Sequence, residues 1–385
     1  MIPAYKRVLK SLGCLTSLSL ALLTGCAGPA AVAADPAPER GSRSAARQLY
    51  TGQPSAVHAT EFPVVSAAEG IARGDEAWRQ GKLDLAVYLY VQSLAYDTTS
   101  AKPFLKIAAI HEQLANRALA IKAFELALER EPENAGANER LGLLYIESHE
   151  DEAAGKLLEA AIRIDSRRWR AHNGLGILAD RRGDYGLAKK NYDEAQRLQP
   201  DNAGVINNRG YSRYLAGDLA GAEADLRLAI SLGAPAGAWT NLARVQAAQR
   251  RYEEALESLL REHDEANAYN HLGIASLEAG DLLKAQEYLA EAIRASPRYF
   301  EAAQENLAQV KERIEAEGRH PTRVTTSDAK VYVKGSYVGQ VESGREVAVL
   351  FTQGQYSLVK YQGADGADQT GWVTSAILAE QRALH

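Results

Sequence analysis

Cysteine is almost absent from this 385-residue chain, which contains only Cys14 and Cys26. Cys14 lies inside the apolar run 12–23, which we expect to be removed with an export signal, so one cysteine remains in the mature chain. A single cysteine cannot form an intramolecular disulfide, and the fold must therefore depend on packing. Tryptophan and methionine are also scarce, whereas alanine and leucine dominate the middle of the chain.

The sequence also lacks a strong charge imbalance and the usual catalytic patterns. Its net charge is −5 without a basic block, which does not favour nucleic acid as a partner. The eight histidines are scattered, and none is spaced from another histidine or a cysteine as metal ligands are. Residues 174–179 (GLGILA) fit a dinucleotide-binding pattern, but they lie inside a predicted helix rather than after a strand. The sequence therefore predicts neither an enzyme nor a bound cofactor or metal.

A basic start and a short apolar run indicate a signal peptide at residues 1–25. Lys6, Arg7 and Lys10 precede the run 12–23, which contains no charge. This run is shorter than the roughly 20 apolar residues that a membrane-spanning helix needs, and it has the length of a signal-peptide core. We therefore expect export of the chain to the cell envelope.

Two cleavage sites after this run would yield different proteins. Residues 31–33 (AVA) fit the ordinary signal peptidase, which would release a soluble product. Residues 23–26 (LTGC) resemble the lipobox of bacterial lipoproteins, in which the cysteine is acylated and becomes the first residue. Because the lipobox adjoins the apolar run, we expect lipidation of Cys26. In that resemblance, Ala27 implies sorting to the periplasmic face of the outer membrane.

Residues 26–66 are rich in alanine, proline, serine and arginine and show no apolar periodicity. A segment of this kind buries too little apolar surface to offset the entropy that ordering it would cost. We therefore expect a flexible tether, which would hold the folded part of the chain away from the membrane surface.

A period of 34 residues runs through the region 67–318. Alanine recurs at this spacing at two offsets, and a small residue recurs 12 residues before the first of them. The rows are Ala86, Ala120, Ala154, Ala188 and Ala222; Ala127, Ala161, Ala195 and Ala229; and Gly74, Ala108, Gly142, Gly176 and Gly210. The pattern resembles the tetratricopeptide repeat, in which two helices pack closely where small residues let their backbones approach.

The resemblance implies a mainly α fold, a right-handed solenoid of about seven helix pairs followed by a capping helix at 300–318. Glycines fall where the first helix of a pair should end in a left-handed residue: Gly81, Gly183, Gly217 and Gly280. The sixth unit, 237–265, is shorter than the others. Its second helix is expected to run directly into the seventh unit without the usual loop.

The first helix of each pair should line the concave face, the usual site for an extended peptide or a partner helix. The residues expected in this partner-binding groove are Arg170, Asn173, Ile177, Arg181, Asn207, Tyr211, Tyr214, Arg244 and Asn270. The three asparagines take matching places in their repeats. Each amide has a donor and an acceptor, so this row can pair with the backbone of a bound peptide. They can equally be tolerated polar residues on a solvated face.

After residue 319 the periodicity changes from helical to strand-like. Apolar and polar residues alternate between glycine-containing turns, as in short half-buried strands. The runs VGQVESGREVAVL, GQYSLVKY and TGWVTSAIL resemble the bacterial SH3-like domain over residues 322–380, which implies a small all-β barrel. The resemblance assigns Val341, Val347 and Val349 to the core, Gly339 and Gly344 to turns, and residues 371–373 to the last strand.

Four aromatic residues are candidates for a binding groove on this SH3-like domain: Tyr332, Tyr337, Tyr356 and Trp372. The resemblance implies peptidoglycan as the ligand of such a groove. Aromatic side chains of a small barrel can also form its core, so both interpretations stay open.

Two functions follow from these patterns. Within residues 203–310, the shortened unit and the stretches 268–270 (AYN) and 297–299 (PRY) resemble the TadD-type lipoproteins of the tight-adherence (Flp) pilus system. That resemblance implies an envelope adaptor that binds a protein partner in its repeat groove and assists assembly of a pilus or secretin channel. The alternative is a cell-wall adaptor, in which the SH3-like domain docks peptidoglycan and the repeats recruit a wall-modifying enzyme.

The lipobox leads to the first testable prediction. Mass spectrometry of the mature amino terminus should find acylated Cys26, because acyl chains on this residue supply the two lipid signals that stable membrane anchoring requires. A Cys26→Ser variant should move from the membrane fraction to the soluble fraction. A mature chain that starts at unmodified Ala34 or Asp35 would contradict the prediction.

Overall fold

The computed structural model describes residue 49 and residues 64–234, 236–317, 322–325, 327–333, 336–353, 355–363 and 366–380. The predicted signal peptide, Cys26 and most of the predicted tether lie outside these residues. Within the described part of the chain, no helix combines the length and the apolar character that crossing a membrane requires. The chain divides into two compact units, one ending at Ala238 and the other beginning at Trp239.

The first unit contains five helix pairs with the predicted spacing. Its helices are α1 (Ala67–Arg79), α2 (Leu83–Ser93), α3 (Lys102–Gln113), α4 (Arg117–Leu128), α5 (Ala135–Glu147), α6 (Asp151–Ile164), α7 (Trp169–Arg182), α8 (Tyr185–Leu198), α9 (Ala203–Leu215) and α10 (Leu219–Ser231). Each odd-numbered helix packs most extensively on the helix that follows it. The 34-residue period therefore corresponds to one helix pair, as the sequence predicts.

A small residue on the first helix of a pair lies against a large side chain of the second. A Cβ added at Gly176 would lie 2.7 Å from the Tyr192 ring, and one at Gly142 would lie 2.8 Å from Leu158. The same contact recurs for Gly74 with Tyr90, Gly210 with Leu226 and Gly273 with Leu289. All nine alanines of the two predicted alanine rows are buried. The predicted rows are therefore confirmed as packing positions.

The turn inside each pair begins with a left-handed residue. The predicted glycines have φ values between 72° and 84°: Gly81, Gly183, Gly217 and Gly280. Ala115, His149 and Arg250 take the equivalent place in three other pairs, with φ values of 56°, 61° and 65°. A side chain in this conformation costs about 1–2 kcal/mol. Three turns therefore contain backbone strain that the glycine turns avoid.

Two residues of the predicted tether are buried in the core of the first unit. Leu49 is fully buried, and its carbonyl oxygen lies 2.8 Å from Nε2 of His111 in α3. Burial lowers the pKa of His111, which favours the neutral ring that donates to this carbonyl. Val64 is buried as well, and the Tyr96 hydroxyl donates to its carbonyl oxygen. The tether prediction is therefore corrected at these two residues, because their apolar side chains belong to the packed core.

The second unit continues with more helices and differs from the prediction at one junction. They are α11 (Ala238–Ala248), α12 (Tyr252–Leu259), α13 (Glu265–Glu278), α14 (Leu282–Ala295) and α15 (Glu301–Glu317). The eight residues of α12 make the sixth pair short, as predicted. However, α12 does not run directly into α13: a turn separates them, and Asp264 caps α13 by accepting from the Asn267 N–H at 2.9 Å.

Helix α15 lies at the place predicted for the capping helix. Its buried positions are Ala303, Asn306, Val310 and Ile314, which recur every three or four residues and form one stripe. The glutamates of the opposite face are exposed. A helix with one apolar and one charged face can end a repeat stack, because the charged face contacts water.

The strands of the second unit form one antiparallel sheet. They are β1 (Thr322–Thr325), β2 (Ala329–Val333), β3 (Ser336–Val341), β4 (Glu346–Gln353), β5 (Tyr356–Gln362), β6 (Asp368–Thr374) and β7 (Leu378–Glu380). Their order is β3-β2-β6-β5-β4-β1-β7. The strand pairs among the described residues leave β3 and β7 at the edges, so they do not close the sheet as the predicted barrel.

The core residues that the SH3-like resemblance assigns agree with the structure better than the turns and the last strand that it assigns. Its buried side chains include Val331, Val341, Val347, Val359 and Val373, against which Val349 is partly buried. Gly344 has a φ of 81° in a turn, as predicted. Gly339 instead lies inside β3, where it pairs with Val331. Residues 371–373 belong to β6, which β7 follows, so they are not the last strand.

The strained turns lead to a pair of opposite stability predictions. His149 is exposed, so His149→Gly should remove the left-handed strain without loss of packing and raise the free energy of unfolding by about 1 kcal/mol. Gly183→Ala should lower it by a similar amount, because its φ is 73° although the added methyl would meet no atom within 4 Å. Urea unfolding, monitored by circular dichroism, measures the free energy of unfolding of both variants. Equal effects of the same sign in the two variants would contradict the assignment of backbone strain to His149.

Candidate partner-binding groove

Three consecutive first helices, α3, α5 and α7, line a cavity of about 400 Å³ in the first unit. We call this cavity the repeat groove. Its lining residues are Ala109, Glu112, Gln113, Ala115, Arg117, Arg140, Leu143, Leu144, Glu147 and Arg170. Nearly all of them lie on first helices, the elements that the sequence assigns to the concave face. Arg170 is the one predicted groove residue among them.

Two ion pairs form part of the wall of the repeat groove. The Arg140 guanidinium donates to both carboxylate oxygens of Glu112, at 2.9 and 2.6 Å. The Arg117 guanidinium donates twice to one oxygen of Glu147, at 3.1 and 2.8 Å. Each pair joins neighbouring repeats and neutralises its own charges. These four side chains therefore shape the groove without giving it a strong net charge.

Arg170 differs from the other arginines of the groove. Its guanidinium carbon lies 4.3 Å from the centre of the Trp169 ring, a cation–π contact that holds the side chain. Within the described residues, no carboxylate lies within 4.0 Å of its guanidinium nitrogens, and its side chain is half-buried. A cation with its hydrogen-bond donors unused can receive an acidic group of a ligand.

A buried glutamate lies close to this arginine. Glu139 in α5 is buried, and the Arg168 guanidinium lies 3.8 Å from its carboxylate. Burial raises the pKa of Glu139, while the positive charges of Arg168 and Arg170 and the Ala171 N–H act in the opposite direction. The positive charge of Arg170 therefore stabilises the ionised Glu139 carboxylate, although the two side chains form no ion pair within 4.0 Å.

The predicted asparagine row is buried and forms contacts between neighbouring helices. Asn208 in α9 donates to Oδ1 of Asn173 in α7 at 3.2 Å, and Asn306 in α15 donates to Oδ1 of Asn270 in α13 at 3.1 Å. Asn207 is buried beside Asn208. These hydrogen bonds already occupy side-chain acceptors of Asn173 and Asn270 within the protein. Its role toward a bound peptide stays a prediction.

The other predicted groove residues lie at packing positions or in ion pairs. Ile177 and Tyr214 are buried, and the ring of Tyr211 lies 6.0 Å from that of Tyr214. Arg181 binds the Asp151 carboxylate and donates to the Ile146 carbonyl, which connects α7 to the preceding pair. In the second unit, Arg244 lies 3.6 Å from Glu278. None of these side chains lines the repeat groove.

The four aromatic residues predicted on the SH3-like domain follow the strands of the sheet. Tyr332 in β2 pairs with Tyr337 in β3 and with Trp372 in β6. The rings of Tyr332 and Tyr337 are 6.1 Å apart in an edge-to-face arrangement. Tyr332, Tyr337 and Tyr356 are exposed, so these three do not form the core. They lie on a sheet surface rather than in a described cavity.

Sequence reasoning missed most of the residues that line the repeat groove. Glu112, Arg117, Arg140 and Glu147 are paired over 28 and 30 residues, close to one repeat length. Opposite charges separated by nearly one period are a sequence pattern that would have identified them. Leu143 has no comparable pattern, because its partial exposure depends on how three helices pack.

Among the residues that the structure describes, no group of three histidine, cysteine, aspartate or glutamate side chains is placed to hold a metal ion. Among the described histidines, His271 has the most altered pKa. Burial lowers it to about 4, and the positive charges of His263 and Arg244 act in the same direction. The His263 and His271 rings stack at 4.3 Å. This histidine pair is a packing contact between the turn after α12 and α13.

Comparison with known proteins identifies the repeats. Residues 105–168 and 173–237 match one family model described as tetratricopeptide repeat, and residues 266–299 match another of the same description. A 62-residue stretch is 40% identical to tetratricopeptide repeat protein 36 of Mus musculus and covers 16% of this chain and 33% of that protein. The chain thus spans about a third of the length of this curated relative.

The solved structures that resemble the chain include the following two. A tetratricopeptide repeat protein from Parabacteroides merdae aligns with a TM-score of 0.49 and 15% identity over 63% of this chain and 98% of that one. Pseudomonas aeruginosa pilF aligns with a TM-score of 0.44 and 19% identity over 58% of this chain and 97% of that one. The matched family models and the helix pairs agree that the chain contains tetratricopeptide repeats, which a small antiparallel β-sheet follows.

Proposed function

We propose that this protein is a scaffold that binds a segment of a protein partner in the repeat groove. The observation that carries the proposal is the cavity between α3, α5 and α7, which contains a half-buried cation, Arg170, with no carboxylate of the described residues within 4.0 Å. A cavity of this kind between stacked helix pairs indicates a protein partner, since such pairs form extended surfaces that bind peptides and helices.

The chemistry of the groove favours a particular kind of segment. Leu143 is partly exposed and Leu144 lies beside it, so the groove offers an apolar contact surface. Burying one apolar side chain there contributes about 1.5–3 kcal/mol. Arg170 adds a site for a carboxylate at one end. A partner segment that combines an apolar side chain with a nearby acidic residue fits both features.

We further propose that the scaffold acts at the cell envelope. Lipidation of Cys26 would anchor it, with the outer membrane as the expected location. The resemblance of residues 203–310 to pilus lipoproteins supports a role in assembly of a pilus or secretion apparatus, and secretin components are the expected partners.

The groove is tested by photo-crosslinking in intact cells. A photoreactive amino acid at position 143 should form a discrete adduct with one partner, which mass spectrometry identifies. Arg170→Glu should reduce the adduct about tenfold, which corresponds to about 1.4 kcal/mol of lost binding. Lys190→Glu is the matched control: it makes the same charge change at an exposed residue of the second helix α8 and should leave the adduct unchanged.

Equal adduct yields for both variants would contradict groove binding through Arg170, as would the absence of a discrete adduct. The same cells test the assembly role separately. If the scaffold assists a secretin, Arg170→Glu should reduce secretin multimers, while Lys190→Glu should not. Unchanged multimers with a reduced adduct would contradict the assembly role and leave groove binding supported.

A second candidate function is docking to the cell wall, and the sheet provides its supporting observation. Exposed Tyr332 and Tyr337 lie on neighbouring strands, and Trp372 pairs with Tyr332 on the next strand. Aromatic surfaces with polar ends suit ligands that have both apolar and polar groups. In this second proposal, the sheet acts as an SH3-like domain that binds peptidoglycan, and the repeats recruit a wall-modifying enzyme.

Wall docking is tested by co-sedimentation of the full chain with purified sacculi. Tyr332→Ser should reduce the bound fraction several-fold, because it removes the central ring of the row. Tyr299→Ser is the matched control, since Tyr299 is an exposed tyrosine between α14 and α15, outside the sheet. Binding no greater than that of an unrelated protein would contradict this function.

A further inference from the structure

Asp180 in α7 accepts hydrogen bonds from two hydroxyl groups. The Ser212 hydroxyl of α9 donates to Oδ1 at 2.7 Å, and the Tyr192 hydroxyl of α8 donates to Oδ2 at 2.9 Å. The Asp180 side chain is half-buried, so part of it still contacts solvent. Burial raises its pKa to about 6, although both hydroxyl groups act in the opposite direction. Two neutral donors therefore orient this carboxylate without neutralising its charge.

Asp180 has no cation beside it within the described part of the chain. No lysine, arginine or histidine nitrogen of those residues lies within 4.0 Å of its carboxylate. The nearest arginines along the two helices bind other carboxylates: Arg181 in α7 binds Asp151, and Arg213 in α9 lies 3.0 Å from Asp225. The charge of Asp180 is therefore left without a counterion from its own helices.

The first helix pair contains a similar arrangement that includes a cation. Asp75 of α1 accepts from the Tyr90 hydroxyl of α2 at 2.6 Å, and the Lys106 ammonium of α3 lies 2.7 Å from the same oxygen. Burial acts to raise the pKa of Asp75, but the bonds from Lys106 and Tyr90 lower it below its usual value. Asp75 and Asp180 thus each have one donor from the second helix of their own pair and one from the next first helix. That next helix supplies a cation to Asp75 but a neutral hydroxyl group to Asp180.

A third tyrosine–aspartate pair, in the second unit, also includes a cation. Tyr252 donates to the Asp281 carboxylate at 2.7 Å, and the Arg250 guanidinium binds the same oxygen. Of these three aspartates, Asp180 is the one without a cation among the described residues. The comparison within this chain indicates that the Asp180 carboxylate can receive a cation from another molecule.

The remaining acceptor sites of Asp180 suit a guanidinium group. A carboxylate offers about four acceptor sites, and the two hydroxyl groups use one on each oxygen. One site on each oxygen is left, which matches the two parallel N–H groups that an arginine presents to a carboxylate. Burial raises the pKa of the half-buried Tyr185, and the nearby negative charge of Asp180 raises it further. A guanidinium group can stack on an aromatic ring placed in this way.

We propose that Asp180 binds an arginine side chain of the protein partner and that Tyr185 contacts the same guanidinium group. This inference rests on the proposed scaffold function, but it concerns a second site, because Asp180 does not line the repeat groove. Asp180 and Arg170 lie ten residues apart on α7, which is about 15 Å along the helix axis. An extended segment that binds both would have its arginine about four or five residues from its acidic residue.

Photo-crosslinking in intact cells tests this site separately from the repeat groove. The photoreactive residue p-azidophenylalanine at position 185 should form an adduct with the partner, and mass spectrometry should map the adduct to a segment that contains an arginine. Asp180→Asn, which keeps one oxygen acceptor, should reduce the adduct at least tenfold. Asp201→Asn is the matched control: Asp201 is exposed between α8 and α9, so this variant should leave the adduct unchanged.

Nuclear magnetic resonance of the native full chain gives a second measurement that does not depend on the variants. A synthetic peptide of the mapped segment should lower the pKa of the Asp180 carboxyl from about 6, because a guanidinium group favours the charged form. The same peptide with citrulline, which has nearly the shape of arginine without its charge, should leave this pKa unchanged.

Four results would each overturn the proposal: no adduct at position 185, a crosslinked segment without arginine, equal adducts in the two aspartate variants, or equal effects of the two peptides. Groove binding is judged independently by the adduct at position 143. An adduct at position 143 together with any of these four results would contradict the Asp180 site and leave the proposed function supported.

Discussion

Five helix pairs of this protein depend on a close contact between a glycine of the first helix and a large side chain of the second. At Gly176 even one added methyl would lie 2.7 Å from the Tyr192 ring, and the corresponding glycines of other pairs are equally restricted. Overpacking of this kind costs about 1–3 kcal/mol per site. The two helices of a pair approach closely only because this position is small. The 34-residue period, the buried alanines and the stacking of neighbouring pairs all follow from that approach.

The same constraint leaves the groove-facing residues free to vary. Positions between the helices must keep their size, but positions on the outer side of a first helix need only be compatible with their neighbours. Arg140 and Glu112 form an ion pair between two neighbouring repeats. Arg170 instead contacts the Trp169 ring rather than a carboxylate. A scaffold can therefore acquire a specific groove without loss of its core. This separation lets repeats with one fold bind different partners.

In the sheet, the buried valines are predicted from the sequence, whereas the place of one glycine is not. The SH3-like resemblance assigns Val341 and Val347 to the core, and both are buried. It also assigns Gly339 to a turn, which is wrong, because Gly339 lies in a strand. Gly344 has a left-handed φ, whereas Gly339 lies in a ladder beside Val331. A glycine fits both conformations, and only its strand neighbours decide between them.

The sequence by itself determined the helix pairs, the packing rows, the four left-handed glycine turns and the change from helices to strands after residue 319. These features depend on neighbours within about one repeat, and local periodicity records such neighbours directly. The tertiary structure alone decided that the asparagine row pairs between helices, that Leu49 belongs to the core, and that β3 is an edge. Those features depend on groups that are distant along the chain and meet only when the helices and strands pack, so no local pattern contains them.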